Sequence, residues 1–123
     1  MDGTIRDRAW IGDYGERVAT DWLRSQGCKV LARNFKGPHG GEVDLIARAG
    51  KLLLFVEVKT RREGTHIRPF DAVDHPKRRL IERGANAWLK RLGTRALPWR
   101  FDVIEVYLEE GSKPRLNHVR DAF

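Results

Sequence analysis

Two short segments carry side chains whose types and spacing could do chemistry: Gly41-Glu42-Val43-Asp44 and, one turn later, Phe55-Val56-Glu57-Val58-Lys59. An acidic residue followed by Glu-x-Lys on the next strand can set two carboxylates and an ammonium group on one sheet face. Magnesium binds through one or two carboxylates and keeps several of its own waters. A neighbouring lysine can orient or deprotonate the attacking water and stabilise a pentavalent phosphate. Such a set suits phosphodiester hydrolysis, with Asp44 and Glu57 as metal ligands, the Val58 carbonyl as a third oxygen and Lys59 as the catalytic ammonium. Mg²⁺ is the expected ion, with Mn²⁺ able to substitute. Two facing carboxylates repel each other without a cation, which is the physical reason to expect one. The plainer reading is an exposed sheet face with cross-strand ion pairs, each worth about 0.2–1 kcal/mol. Against it, Leu52-Leu53-Leu54-Phe55-Val56 is apolar on both faces, as a central covered strand is. Charged groups at the end of such a strand are costly unless they are used.

Elements must exist to position this set. Gly50-Lys51 between strands at Glu42–Ala49 and Leu52–Thr60 suits a two-residue type II′ hairpin. With Ala49 facing Leu52, counting back puts Asp44 opposite Glu57 and Glu42 opposite Lys59, on one face. A first helix is expected from Arg8 to Gln26, capped by Asp7 and ended by Gly27, with Ile11, Gly15, Val18, Ala19 and Trp22 as its buried stripe. Residues 1–7 are expected to be flexible. Lys29–Phe35 reads as a strand in which Val30, Ala32 and Asn34 alternate against Leu31, Arg33 and Phe35. Gly37-Pro38-His39-Gly40-Gly41 is a loop by composition. After a basic loop, Arg61 to Val73, a second helix spans Pro76–Leu92, capped by Asp74 or His75 and ended by Gly93. Its apolar face is Leu80, Ile81, Ala85, Trp88, Leu89 and Leu92. Arg100–Leu108 and Arg115–Val119 complete the order helix, three strands, helix, two strands. That order implies an α/β domain with one central mixed sheet flanked by helices.

The 123 residues suffice for a single domain with one core, and 41% hydrophobic with 33% charged residues marks a globular chain. No apolar run approaches the roughly 20 residues that span a bilayer, and the first seven residues lack the hydrophobic segment of a secretory signal. The single Cys28 excludes an internal disulfide and fits a reducing, cytoplasmic setting. Twenty-four Lys and Arg against 17 Asp and Glu leave a net charge of +7, which favours polyanionic partners.

The motifs also carry a resemblance. Glu16, Gly41-Glu42-Val43-Asp44-Leu45-Ile46, Phe55-Val56-Glu57-Val58-Lys59-x-Arg61, Lys77 and Arg100-Phe101-Asp102-Val103-Ile104 resemble the pattern of the small bacterial YraN-like proteins of the UPF0102 family. These in turn resemble Holliday-junction resolvases of the PD-(D/E)xK type, and the match runs from about Gly12 to Val106. The resemblance implies a restriction-endonuclease-like fold of about five strands and a magnesium-dependent nuclease site at Asp44, Glu57 and Lys59. Val43 stands where the motif has proline. A helical glutamate completes the metal site in such nucleases, which gives Glu16 that role as a further metal and catalytic residue. DNA, possible in branched or flapped form, is the expected partner, with RNA left open. Symmetric cutting of a junction needs two sites, so a homodimer goes with that task.

Other residues take lesser roles. Lys59, Arg61, Arg62, Arg68, Lys77, Arg78 and Arg79 form the expected phosphate surface. Glu42 is expected to pair with Lys59, and Asp102 to anchor an arginine. Gly12 and Gly15 are read as sites of close helix-to-sheet packing. His39, His66, His75 and His118 lack zinc-ligand spacing, and Trp22 and Trp88 belong to the core. A non-catalytic nucleic-acid-binding or scaffold protein with the same fold is the alternative reading. Paired carboxylates could also serve a glycosidase, but the lysine and the basic balance argue against that.

Overall fold

The computed structural model describes residues 8–62, 74–109 and 111–123. In chain order the elements are α1 (Arg8–Ser25), β1 (Lys29–Lys36), β2 (Glu42–Ala49), β3 (Leu52–Arg62), α2 (His75–Leu92), β4 (Trp99–Leu108) and β5 (Arg115–Val119). The strands form one sheet in the order β1-β2-β3-β4-β5. Only β3 and β4 run parallel; the other neighbours are antiparallel. A parallel neighbour requires a crossover, which α2 supplies. This is the expected α/β, restriction-endonuclease-like arrangement. Among the described residues no helix is long and apolar enough to cross a membrane. The Asp7 cap, the 1–7 lead and Arg68 lie outside the described residues.

The two helices cover opposite faces. Ala19 and Leu23 of α1 pack on Leu45, Ala47, Leu54, Val56, Ile104 and Val106. Ile81, Ala85 and Leu89 of α2 pack on Phe35, Val43, Ile46, Leu53, Phe55 and Val103. Strand β3 thus feeds both layers, as its continuous apolar run requires. The hairpin is as read: Gly50 has φ 60° and Lys51 keeps a negative φ, the type II′ signature. Its register pairs Ala49 with Leu52 and continues to Leu45 with Val56.

Several local expectations are corrected. A bulge between Val30 and Ala32 breaks the simple alternation of β1. Val30 then packs on the α1 side, while Ala32 and Phe35 pack on the α2 side. Leu23, left out of the α1 stripe, is fully buried, whereas Leu92, in the last turn of α2, is 44% exposed. Helix α1 ends at Ser25, and Gly27 (φ 86°) closes it with the Cys28 N–H donating to the Leu23 carbonyl. Asp74, not His75, caps α2 by accepting from the Lys77 N–H at 3.0 Å. Strand β3 runs past Thr60 to Arg62 because its parallel pairing with β4 continues to Leu108.

Two glycines let a helix touch the sheet backbone. A side chain on Gly41 would collide with the backbone of Gly84 in α2. A Cβ on Gly84 would lie 2.8 Å from Val43 Cγ2 and 2.9 Å from the Glu42 nitrogen. The close approach seats the N-terminal half of α2 over the start of β2. Gly84→Ala therefore runs against helix propensity, which alone favours alanine by about 1 kcal/mol. We expect a net destabilisation of about 1–3 kcal/mol from overpacking, read as a lower midpoint in thermal or urea unfolding. An unchanged or raised midpoint would show that the contact does not constrain α2.

Candidate active site

Along β3, Leu53 and Phe55 face α2 while Leu54 and Val56 face α1. The same alternation carries Glu57 and Lys59 to the α2 side. Glu57 is only 2% exposed. Its Oε2 receives two ammonium groups, Lys59 Nζ at 3.3 Å and Lys77 Nζ at 3.4 Å. Asp44 lies just past Leu45–Val56, the last β2–β3 pair, where its Oδ2 accepts the Val58 N–H at 2.9 Å. Its side chain is also hydrogen-bonded to Glu57. The structure places Asp44 and Lys59 beside Glu57, although the β2–β3 ladder stops at Leu45–Val56, before the expected Asp44–Glu57 and Glu42–Lys59 pairs.

Glu42 and Lys77 depart from expectation. Glu42 Oε1 accepts from Lys77 Nζ at 3.0 Å, so its partner is the helix lysine and not Lys59. The reason is tertiary: the Gly41–Gly84 contact draws α2 onto β2, and Lys77 lies two turns earlier on that helix. Lys77, expected on the phosphate surface, is committed to two carboxylates of the site.

The electrostatics follow from this burial. Desolvation, the Asp44 hydrogen bond and the Asp44 charge push Glu57 up to about 8, against the pull of Lys77 and Lys59. Glu57 therefore holds a proton near neutral pH. Burial pulls Lys77 down, but Glu57, Glu42 and Asp44 outweigh it and hold its ammonium charged. Its hydrogen bond in turn holds Glu42 below the usual carboxylate range, against the penalty of burial.

Glu16 approaches from α1. Gly15 presses that helix against β3, since a side chain there would overlap the Thr60 hydroxyl, whereas a Cβ on Gly12 would meet nothing within 4 Å. The close-packing expectation thus holds for Gly15 and fails for Gly12. Burial and the charge of Asp44 raise the Glu16 pKa, while the Asn34 side chain, hydrogen-bonded to it, and Arg33 pull it down. Asn34 was not singled out in the sequence. It has φ 52° inside β1, between the pairs Arg33–Leu45 and Phe35–Val43, hence beside Asp44. Asparagine adopts the left-handed region more readily than other non-glycine residues, and here the turn aims its amide at Glu16. No spacing rule would have found it.

The basic surface is also redrawn. Arg61 is 9% exposed and sits 3.7 Å from the buried Glu105. The parallel register places Tyr107 beside Arg61 and Glu105 beside Lys59, which turns Arg61 inward. The Arg78 guanidinium lies 5.1 Å over the Phe123 ring. Arg79 is exposed, and Arg62 pairs through its backbone with Leu108. Asp102 anchors Arg100 as expected, at 2.8 and 3.2 Å, and also contacts His118 Nε2 at 2.8 Å. His118 Nδ1 accepts from the Trp22 indole at 3.1 Å, so this histidine belongs to a buried brace under α1.

Among the described residues no three His, Cys, Asp or Glu side chains form a metal-ligating group. Glu16 faces Asp44 without closing such a group. A buried Glu57 whose pKa is raised by burial and by the neighbouring Asp44 nevertheless marks a concentration of negative charge that a divalent cation relieves. The two carboxylates suit magnesium, which takes few protein ligands.

The family model described as "Uncharacterised protein family UPF0102" matches residues 15–106 of the chain. A UPF0102 protein of Trichlorobacter lovleyi is 43% identical over 114 residues, 92% of this chain and 89% of that protein. One of Pelobacter propionicus is 43% identical over 119 residues, 95% of this chain and 84% of its own. A third, UPF0102 protein STH1475 of Symbiobacterium thermophilum, is 41% identical over 113 residues, 92% and 95% of the two chains.

The raised Glu57 pKa has a measurable consequence in metal-free protein. The folded state holds a proton on Glu57 up to about 8, whereas the unfolded chain releases it near the ordinary value of 4.5. This contribution is full below the ordinary value and is lost as pH rises through the folded one. Thermal melts in EDTA are expected to show wild type losing stability relative to Glu57→Gln as pH rises from 5 to 9. Parallel profiles for the two proteins would refute a buried Glu57 that keeps its proton in the folded state.

Proposed function

The chain belongs to the uncharacterised protein family UPF0102, and from that kinship and the site geometry we propose that it is a Mg²⁺-dependent endonuclease hydrolysing phosphodiester bonds of DNA. The observation that carries this reading is the buried Glu57 beside the half-buried Asp44, with two lysine ammonium groups on one Glu57 oxygen. Ion pairs on a solvated surface do not account for a carboxyl group only 2% exposed. Magnesium held by Asp44 and Glu57, with the Val58 carbonyl and Glu16 as further oxygens, would supply charge neutralisation on the phosphate and a more acidic water.

The chain's own groups do the rest. Asp44 is fixed by the Val58 N–H and by its hydrogen bond with Glu57, so its carboxylate is oriented before substrate arrives. Lys59, about a quarter exposed, can reach an attacking water or a non-bridging phosphate oxygen from its place beside Glu57. Lys77 keeps positive charge at the site and restrains Glu42 and Glu57. Branched or flapped DNA is the proposed substrate class, and Mn²⁺ the substituting ion. A homodimer would supply the second site for paired cuts.

One observation favours a second reading. Lys59 and Lys77 already compensate Glu57 without a metal, as a fold that binds nucleic acid without cutting it would permit.

Cleavage of labelled duplex, single strand, flap and four-way junction in EDTA, Mg²⁺ or Mn²⁺ separates the two. Metal-dependent products are expected from wild type. Glu57→Ala should abolish them, and Lys59→Ala should slow them by about 10²–10³-fold, the size of losing one preorganised cationic or hydrogen-bonding group. Folding and DNA binding should persist in both. Equal cleavage by both variants would refute the site; binding without products under every metal would favour the non-catalytic reading.

A further inference from the structure

Part of the expected phosphate surface is engaged inside the folded chain, Lys77 by carboxylates and Arg61 by Glu105. A cavity of about 830 Å³ elsewhere carries a different set of cations. It lies between the β1–β2 loop and the C-terminal half of α2. Pro38 and His39 form one wall, Ala87 and Leu89 contribute apolar surface, and Arg83, Lys90, Arg91 and Arg95 bring positive charge. Among the described residues no Asp or Glu lines it. Its volume is within the range of small-molecule and nucleotide-sized sites.

We propose that this groove is a second nucleic-acid-contacting surface, which holds the phosphodiester backbone of a single DNA strand leaving the cleavage site. The inference rests on the nuclease reading and adds where the substrate's free strand runs.

Position is the first argument. Gly41 lines the groove, and the next residue, Glu42, bonds Lys77 at the carboxylate site. The loop that walls the groove therefore runs directly into β2, the strand that carries Glu42 and Asp44.

Preorganisation is the second. Arg83 Nη1 donates to the His39 carbonyl at 3.2 Å and ties loop to helix across the groove. The Arg91 guanidinium lies 5.8 Å over the Phe35 ring, and Arg95 lies 5.8 Å over Trp99 while bonding Asn86 at 2.9 Å. A guanidinium held by a ring face keeps in-plane N–H groups for phosphate oxygens, and such contacts need no base sequence.

The apolar wall decides between strand types. A single strand can lay sugars and unstacked base faces on apolar surface while its phosphates meet the cations. A duplex keeps its base faces stacked inside. Charge alone would also admit an acidic peptide, but the direct run of the groove loop into the strand that carries Asp44 favours the DNA strand.

The test uses the full chain with Glu57→Ala, in EDTA, so that no strand is cut. Fluorescence anisotropy of a labelled single-stranded DNA and a flap is followed over a salt series, with Lys90→Ala/Arg91→Ala added. The single-strand affinity should fall at least about tenfold at low salt. The slope of log affinity against log salt should flatten by about 1.4, two phosphate contacts at about 0.7 each. If melting shows that the double variant is unfolded, Lys90→Ala alone should flatten the slope by about 0.7. Unchanged affinity and slope, with the parent protein binding DNA, overturns the groove and leaves the nuclease reading standing. No binding of any oligonucleotide by the parent overturns that reading, and the groove with it. Displacement of the DNA by poly-glutamate at equal charge concentration overturns the strand assignment in favour of an acidic protein partner.

Discussion

A carboxyl group buried to 2% exposure at the end of an apolar strand is the constraint on which this structure turns. Glu57 cannot ionise there beside Asp44 at ordinary carboxylate pH. It must hold a proton, a lysine or a cation, and the fold offers it two lysines and a hydrogen-bonded Asp44. An arrangement so unfavourable for an isolated carboxylate is maintained by everything around it: apolar layers on both faces of β3, a helix over each, and a parallel strand alongside. The same burial that makes the group expensive to ionise prepares it to respond to positive charge.

Helix placement supplies the remaining groups. Gly41 and Gly84 bring the backbones of loop and α2 together, and Gly15 does the same for α1 against Thr60. These approaches are not general flexibility; each removes a side chain at a point where backbone or β-carbon must come close. Through them Lys77 reaches Glu42 and Glu57 from one helix, and Glu16 senses Asp44 from the other. Asn34 links β1 to this set by a left-handed backbone that a longer strand run would not otherwise contain.

The excess of positive charge is also sorted by the fold. Some of it is spent inside, on the braces Arg100–Asp102–His118 and Arg61–Glu105, the latter continued by Asn117 donating to Glu105 at 2.8 Å. Burial raises the Asp102 pKa, but the His118, Arg100 and Asp121 hydrogen bonds win and hold it low. These arginines stabilise β4 and β5 and are not offered to a substrate. The cations facing an open groove come from the middle and end of α2 and the loop beyond it, segments whose sequence reads as ordinary polar surface.

Asp44, Glu57 and Lys59 were legible in the sequence because a two-residue turn sets strand register, and register sets which side chains share a face. The apolar run of β3, the glycine stops at Gly27 and Gly93, and the order of helices and strands were legible for the same local reasons. Partners from distant segments were not. Nothing in the residue types tells Glu42 to choose Lys77 over Lys59, or Arg61 to turn toward Glu105. Those choices depend on where α2 crosses β2 and on β3 pairing parallel with β4, contacts between segments more than thirty residues apart. Local chemistry determined the strand carrying the carboxylates; packing between helix and sheet decided which charges would meet them, because close approach is set by shape and not by sequence spacing.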